Sequence, residues 1–416
     1  MKPGFYSAKS LSATVVEEFA GMLSTPVAAR AAALRFVVFL GMVSLFADIT
    51  YEGARGITGP LFRDLGATAA QLGFVAGFGE LCGFTLRLAS GSLADRTRAY
   101  WTITLLGYAV NMVAVPMLAF AGRWETAAIL LIAERTGKSF RAPARDVLLS
   151  EAAHAVGQGW AFGLHAAMDQ TGAVIGPLFV AWAVAHAGGY GPAFLYLAIP
   201  AAAALAMLLA ARAISPVDVS TPPPHEASQK LSRVFWIYVV AAGLLAAGFA
   251  DFPLIAFHFE KIHLVGAASI PLLYSVAMAV NGITAPAFGK LFDRFGLRVL
   301  SAGILISMLA APLAFMGGLR EALGGVACWG AGMGAMDAML RAGISRVVTM
   351  NKRGRAFGAF NAVYGVMWFA GSWAMGLLYE HSIAALVGLA VVAHLSSAAV
   401  FFSLRTKIGP AESRPG

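Results

Sequence analysis

Charged side chains interrupt several apolar stretches of this chain at helical spacing. Asp48 and Glu52 are one turn apart on one helix face, and Arg55 lies a further turn along. Two carboxylates at this distance repel each other when both are ionised, which favours proton binding by one of them. We therefore predict that one of the pair binds and releases a proton. In this hypothesis Arg55 keeps Glu52 charged and leaves Asp48 as the titrating group.

Other apolar stretches carry charges that could bind a polar solute or assist proton transfer. Glu134 and Lys138 have the favourable i,i+4 orientation of an ion pair, as do Asp337 and Arg341. Static ion pairs that hold helices together are the alternative for all these groups. We assign proton transfer to Asp48, Glu52 and Arg135, and solute binding to Arg55, Glu134, Lys138, Arg141, Asp251, Asp337 and Arg341. Glu80 and Arg87 share one face of another stretch, with their partner left open between segments 4 and 11.

The composition indicates that these charges belong to a membrane protein. Of 416 residues, 59% are hydrophobic and 12% charged, whereas ordinary soluble domains have about 25% charged residues. A spanning helix needs about 20 mainly apolar residues. The sequence has twelve such segments, near 33–60, 68–94, 100–121, 126–149, 160–187, 192–213, 232–258, 266–291, 298–319, 322–349, 355–379 and 383–404. Charges inside spanning helices cost about 2.5–3.5 kcal/mol each on insertion scales and usually face a cavity.

A polar stretch rich in Pro and Ser divides the twelve segments into two groups of six. The predicted organisation is a lead-in at 1–32, a first bundle at 33–213, a linker at 214–231, a second bundle at 232–405 and a tail at 406–416. A surface helix over 11–30 is the alternative for the lead-in. Basic residues concentrate in alternate connections, which predicts cytoplasmic termini. This distribution explains the net charge of +9 without a nucleic-acid partner.

Two loop motifs are near copies of each other. Each has a glycine four residues before an Asp-Arg pair, with a further arginine behind: Gly91, Asp95, Arg96 and Arg98, then Gly289, Asp293, Arg294 and Arg298. Two further echoes keep the same order, Phe46-Ala47-Asp48 with Phe249-Ala250-Asp251 and Trp160–Gly163 with Arg355–Gly358. Internal repeats of this kind are typical of secondary transporters, whose substrate site lies near the midplane between the halves.

With these features the chain resembles the major facilitator superfamily over nearly its whole length. The resemblance implies an all-α transmembrane fold of twelve helices in two pseudo-symmetric six-helix bundles, with helices 1, 4, 7 and 10 around a central cavity. It also implies that the loop aspartates dock on helix N-termini of the opposite half, which attract anions. Asp95 would then meet segment 11 near Gly354, and Asp293 segment 5 near Gly159. Ordinary turn charge is the alternative, and Thr97 departs from the usual glycine.

Segments 4 and 5 carry two further resemblances. Arg135, Gly137, Lys138 and Arg141 resemble a little-characterised prokaryotic branch of the superfamily, and Arg145 and Asp146 are predicted gate residues between the halves. Segment 5 matches most of the superfamily's antiporter motif through Gly163, Gly172, Gly176 and Pro177, although Val180 and Ala181 replace its final small pair. That motif accompanies proton-driven exporters. Close helix packing through small residues is a compatible explanation.

These features predict a secondary active transporter of the prokaryotic inner membrane that moves a small organic solute by alternating access. Proton-coupled efflux is the first expectation, and uptake of an organic acid by symport or facilitated diffusion is the alternative. A transport-dead sensor or scaffold is a third. The expected partners are lipid, solute and protons, and the resemblance implies a monomer. We expect no enzyme activity, cofactor or metal: Gly137-Lys138-Ser139 has Ile132 where a phosphate-binding loop needs glycine, and Cys82 and Cys328 lack metal-ligand spacing.

Overall fold

The computed structural model describes residues 26–216, 231–348 and 353–405, and the side chains of all of these except 26–29 and 353–354. Most of the predicted lead-in and linker, the tail and the side-chain surroundings of Gly354 therefore lie outside the described residues. Within these ranges the chain is all-α, with twelve spans and no strand. Ten of the spans are long and apolar enough to cross a membrane by length and composition.

The first six spans form one bundle. They are α1 Pro26–Asp64, α2 Ala69–Thr97, α3 Tyr100–Met117 with a 3-10 turn at Leu118–Phe120, α4 Trp124–Val156, α5 Gln158–Ala187, and α6 in two parts, Tyr190–Tyr196 and Ala198–Ala213. Capping fixes some of the boundaries. Thr68 and Gln71 form a capping box at the start of α2, which satisfies backbone donors that a helix start leaves free.

The second six spans repeat the arrangement. They are α7 in two parts, Arg233–Gly248 and Phe252–Lys261, α8 Ser269–Phe295, α9 in two parts, Leu297–Met308 and Ala310–Met316, α10 Leu319–Val347, α11 Arg353–His381 and α12 Ile383–Leu404. The break in α7 has a local cause. Pro253 lacks a backbone donor and would clash with the carbonyl of Phe249 in a continuous helix. The break leaves Asp251 extended, just before the second part of α7.

Glycines allow α1 and α5 to pack backbone against backbone. A Cβ added to Gly172 would lie 2.4 Å from the carbonyl oxygen of Leu45, and one added to Gly176 would lie 2.6 Å from that of Ile49. Small residues of this kind let helices in membranes approach closely. Gly163 differs, because nothing lies within 4 Å of its added Cβ. Close packing therefore accounts for two of the three glycines of the segment 5 motif.

The two bundles meet mainly where α2 packs against α11, α5 against α8, and α1 against α7. The contacts continue to the end of the molecule remote from the linker. In the middle, Gln170 of α5 donates to the carbonyl oxygen of Met278 of α8 at 2.6 Å. At the remote end, the backbone N–H of Ala69 donates to Glu380 at 2.6 Å, and the Tyr190 hydroxyl donates to Glu260. We call this the sealed end and the opposite one, where the repeated loops lie, the linker end.

At the linker end the repeated loops contact their own halves. Asp95 accepts from the hydroxyl of Tyr100 at 3.1 Å, and Asp293 accepts from Arg346 at 3.0 Å. Among the described residues the hydrogen-bond partner of Asp293 is Arg346, and its side chain is otherwise 80% exposed, so the predicted docking of Asp293 on the start of α5 is wrong for this conformation. Arg346 supplies the nearer countercharge. The predicted docking of Asp95 involves Gly354 and stays a prediction.

Candidate functional site

A cavity of about 310 Å³ lies between the two bundles. Helices α1, α2 and α4 line it on one side, and α7, α8, α10 and α11 on the other. Its volume is at the lower end of the range for small-molecule pockets, about 300–1,000 Å³. The charged lining residues are Glu52, Arg55, Glu80, Arg87, Arg135, Lys138, Asp251, Asp337 and Arg341. Seven of these nine are among the ten predicted solute-binding and proton-transfer residues.

An ion-pair network occupies the wall formed by the first bundle. Arg55 lies 3.6 Å from Glu52 and 3.1 Å from Glu80. Arg135 lies 3.1 Å from Glu80 and 3.2 Å from Glu134. The N-half network consists of these five residues and Lys138, whose ammonium is 3.4 Å from Glu52. Each charge has a countercharge, which offsets part of the cost of removing it from water.

The structure corrects the predicted Glu134–Lys138 pair. Lys138 turns to Glu52 and lies 3.6 Å above the ring of Tyr51. Glu134 is buried, pairs with Arg135 and accepts from the side-chain amide of Asn111 at 3.0 Å. Partners on other helices therefore replace the partner one turn along the same helix, because they offer further hydrogen bonds in a buried place.

Two residues that we expected around the cavity lie instead between α3 and α4. Glu134 faces Asn111 of α3, and Arg141 is buried with its guanidinium 3.7 Å above the ring of Tyr108, also on α3. Such stacking of a cation on an aromatic face is favourable in a desolvated place. Neither residue lines the cavity, so their predicted contact with a solute is wrong for this conformation.

Asp48 also lies outside the cavity, on the face of α1 that packs against α5. Only 5% of the residue is exposed, and its buried Oδ1 atom has no hydrogen-bond partner among the residues that the structure describes. A Cβ on Gly172 would come within 2.8 Å of the Asp48 Cβ. Glu52, one turn later, instead points to the cavity and accepts from the Tyr274 hydroxyl at 2.5 Å. The predicted carboxylate pair is therefore divided between two environments.

Further polar groups surround Asp48. His165 of α5 lies 3.3 Å from the hydroxyl of Ser44 and 3.7 Å from Asp169. We call Ser44, Asp48, His165 and Asp169 the α1–α5 cluster. Buried atoms of three of its members, Asp48 Oδ1, His165 Nδ1 and Asp169 Oδ1, have no hydrogen-bond partner. The cluster therefore has free capacity for a proton close to the cavity wall.

The second bundle presents its charges differently. Asp251 accepts from the indole of Trp368 at 2.9 Å and from the hydroxyl of Ser372. Asp337 accepts from Asn281 at 3.4 Å. Among the residues that the structure describes, neither acid has a cation within 4 Å, and the predicted Asp337–Arg341 ion pair is absent. Hydrogen bonds from neutral groups hold these acids instead.

The predicted gate residues lie at the linker end and contact their own halves. Arg145 bonds Asp146 at 2.8 Å and donates to Ser44 at 3.3 Å. A Cβ on Gly91 would lie 3.5 Å from Pro143, and one on Gly289 would lie 4.0 Å from Ala338. Arg98 ends α2 in a left-handed conformation with φ of 55°. The remaining predicted gate residues are the loop arginines Arg96, Arg294 and Arg298.

Sequence reasoning left two charged residues of α2 out of the site. Glu80 joins Arg55 of α1 to Arg135 of α4 and so lies at the centre of the N-half network. Arg87 lines the cavity about two turns further along α2. The signal that marks the other residues, a charge inside a spanning helix, marks these two as well. Tyr274 and Trp368 carry no such signal, because an aromatic residue in an apolar helix is ordinary.

Two six-helix bundles around a charged central cavity define a secondary transporter of the membrane. The profile described as Major Facilitator Superfamily matches residues 32–372, and the chain belongs to this superfamily. It is 39% identical over 382 residues to an uncharacterised protein of Mycobacterium tuberculosis, covering 90% of this chain and 93% of the relative.

Solved structures resemble the fold at low sequence identity. A mutant of the nucleoside transporter NupG has a TM-score of 0.73 at 13% identity, and the match covers 90% of this chain and 100% of that one. An auto-inhibited peptide transporter of the POT family has a TM-score of 0.73 at 14% identity, over 92% of this chain and 99% of that one. At these identities the likeness concerns the fold alone.

Proposed function

We propose that this protein exports a small organic solute across the cytoplasmic membrane in exchange for protons. The central cavity would open alternately to the two sides of the membrane as the bundles rock against each other. The observation that carries the proposal is Asp48, a carboxyl group with a buried, unpartnered oxygen beside the cavity wall. The proposed halves are residues 33–213 and 232–405, with 214–231 as the linker.

Asp48 fits a proton carrier better than Glu52 does. An ionised carboxylate with an unpartnered oxygen in a buried place is costly, so protonation of Asp48 relieves that cost. Glu52 is held by Arg55, Lys138 and Tyr274, which all favour its charged form. The charges that act on Asp48 come from Asp169, Lys138, Glu52 and Arg141.

Lys138 offers a route by which proton release at Asp48 could affect the cavity. Its ammonium pairs with Glu52 and also interacts electrostatically with Asp48. When Asp48 loses its proton, the new negative charge attracts Lys138 away from Glu52. The pairing of Glu52 in the cavity wall would then weaken, and with it the N-half network. In this way one lysine would connect the protonation of Asp48 to the ion pairs of the cavity wall.

The direction of transport is proposed from the α5 motif and the conformation. Gly163, Gly172, Gly176 and Pro177 match the motif that accompanies proton-driven exporters. If both termini are cytoplasmic, as the basic residues predict, the sealed end faces outward. The loop pairs around Asp95 and Asp293, with Arg145 and Asp146, would then close the cytoplasmic side in the other state. Proton symport of an organic acid is the second candidate, favoured by Arg135 and Lys138 in the cavity wall.

Proteoliposomes that contain a trapped pH indicator test this proposal. A panel of organic acids, amines and neutral solutes is added, and the direction of proton movement is recorded for each solute that is transported. Exchange moves protons opposite to the solute, whereas symport moves both the same way. We expect exchange, and we expect Asp48→Asn to abolish the proton movement. Glu125→Gln is the matched control, because Glu125 lies on the surface and its ion-pair partner among the described residues is Arg123. Transport without proton movement would exclude the proposal.

A further inference from the structure

We infer that the cavity takes an organic anion, whose carboxylate or phosphate group is held between Arg87 of α2 and Arg341 of α10. This inference rests on the proposed transport through the central cavity and names the class of solute. Both arginines line the cavity, and they come from opposite halves of the molecule. Neither belongs to the N-half network.

The pairing of the cavity cations carries the argument. Arg55, Arg135 and Lys138 each lie within 3.6 Å of a glutamate. Arg87 and Arg341 have no carboxylate within 4 Å among the described residues. The Nε of Arg87 is buried without any hydrogen-bond partner. Five cations and four acids line the cavity, and among the described residues these two guanidinium groups are the cations of that lining that have no ion pair.

The two arginines also affect each other across the cavity. Both guanidinium groups line one cavity, and the charge of Arg341 is among those that act on Arg87. Two like charges that face one cavity repel each other, and an anion between them offsets the repulsion. A guanidinium group presents planar, paired donors that match carboxylate and phosphate oxygens. The arrangement therefore suits a small oxyanion.

The other side chains that line the cavity indicate what the rest of the solute is like. The ring of Tyr364 lies between Phe84, at a centroid distance of 5.3 Å, and Phe360, at 5.2 Å. All three rings line the same cavity as the arginines, together with Met336 and Leu340. An aromatic and thioether surface of this kind suits an apolar or aromatic body. The expected solute is an organic anion with an apolar body that fits the 310 Å³ cavity.

An anion held in this way would connect the two halves. Arg87 moves with the first bundle and Arg341 with the second, so their separation depends on the conformation. A ligand shifts a conformational equilibrium only by its different affinity for the two states. An anion that contacts both arginines binds best in the state that brings them closest. Solute binding would therefore shift the conformational equilibrium, as transport requires.

Thermal unfolding of the full chain in lipid nanodiscs tests the inference. The probes are phenylacetate and phenylphosphonate, with phenylacetamide and phenethylamine as neutral and cationic analogues at equal ionic strength. We expect the two anions to raise the unfolding temperature and the two analogues to leave it unchanged. In Arg87→Gln and in Arg341→Gln the half-saturating anion concentration should rise at least about tenfold, equivalent to about 1.4 kcal/mol.

The controls separate recognition from folding and from coupling. Arg123→Gln removes a surface cation outside the cavity and should bind anions like the parent protein. Arg87→Lys keeps the charge and should retain part of the affinity for anions. If Arg87 only supported the fold, the affinity would not depend on the charge at this position. Unchanged anion affinity in both glutamine variants, equal stabilisation by the amide, or no stabilisation by either anion would overturn the inference. A different pair of results would overturn only the proposed coupling. In that case anions still stabilise the parent protein and Asp48→Asn, but transport by the parent protein moves no protons.

Discussion

Asp48 and Asp251 occupy equivalent places in the two halves and have opposite surroundings. Both follow a Phe-Ala pair. Asp48 lies within the continuous helix α1, faces α5 and keeps an unpartnered oxygen. Asp251 lies at the break of α7, faces the cavity and accepts bonds from Trp368 and Ser372. The halves have thus kept an acid at one position and changed what it can do.

The walls of the cavity extend this difference. The first bundle presents five charges that are paired in the N-half network, together with Arg87, which has no ion pair among the described residues. The second bundle presents Asp251, Asp337 and Arg341 without a direct ion pair among the described residues. A paired network is rigid, because moving one member exposes the charge of the next. We infer that the first bundle is the fixed electrostatic frame, and that the second supplies groups free to change partners during transport.

The largest difference in stability should come from Glu80 and Asp337. Glu80→Gln removes one of the two countercharges of Arg55 and one of the two countercharges of Arg135. Breaking a buried ion pair on one side should lower the free energy of unfolding by about 3 kcal/mol. Asp337→Asn removes an acid that has no ion pair, so a change below about 1 kcal/mol is expected. Thermal unfolding of the two variants, side by side in one detergent, measures the contrast. Equal losses in the two variants would refute the distinction between a paired and an unpaired wall.

A smaller effect, with a change of sign, should separate two glycines of α5. Gly172→Ala forces a methyl group to within 2.4 Å of the Leu45 carbonyl oxygen, and overpacking of this kind costs about 1–3 kcal/mol. Gly163→Ala meets nothing within 4 Å and should stabilise the helix by about 0.5–1 kcal/mol. If Gly163 is needed for a close helix contact in the other conformation, Gly163→Ala will unfold at a higher temperature than the parent protein and will transport more slowly. Unchanged transport by Gly163→Ala would leave packing as the only role of the motif.

The smallest effect on stability should come from the repeated loops. The side chain of Asp293 is 80% exposed although it pairs with Arg346 at 3.0 Å. Exposed ion pairs contribute little, so Asp293→Asn should change the free energy of unfolding by at most about 0.5 kcal/mol. Transport should nevertheless fall severalfold in Asp293→Asn and in Asp95→Asn, because both acids are proposed to act only when the linker end closes. Full transport in both variants would remove the proposed latch.

Much of the fold was predictable because lipid imposes a strong rule on sequence. Long apolar segments and the repeated motifs predict twelve helices in two bundles, and the structure and the family confirm that architecture. Spanning charges also drew attention to Glu52, Arg55 and Lys138, which line the cavity. What the apolar pattern does not reveal is helix rotation. A face that packs on another helix and a face that meets lipid are both apolar, so nothing distinguished the side of α1 that carries Asp48.

The choice of ion-pair partners was harder to predict for a related reason. Spacing along one helix suggested Glu134 with Lys138 and Asp337 with Arg341, but the observed partners of Glu134, Lys138 and Asp337 lie partly on other helices. Which helices approach one another depends on glycines such as Gly172, whose role emerges only when its neighbour is known. The break of α7 is easier to recognise from the sequence than these partners are, because Pro253 itself causes it.

The protonation state of Asp48 is the most direct test of the difference between the halves. Infrared spectra of the protein in lipid, recorded as the pH is lowered, report the carbonyl band of protonated carboxyl groups. The account predicts that one component of the pH-dependent band disappears in Asp48→Asn and persists in Glu52→Gln, whose carboxylate is held by two cations. A band that is unchanged in Asp48→Asn, or that is lost in Glu52→Gln, would contradict the assignment of the proton to the α1–α5 cluster.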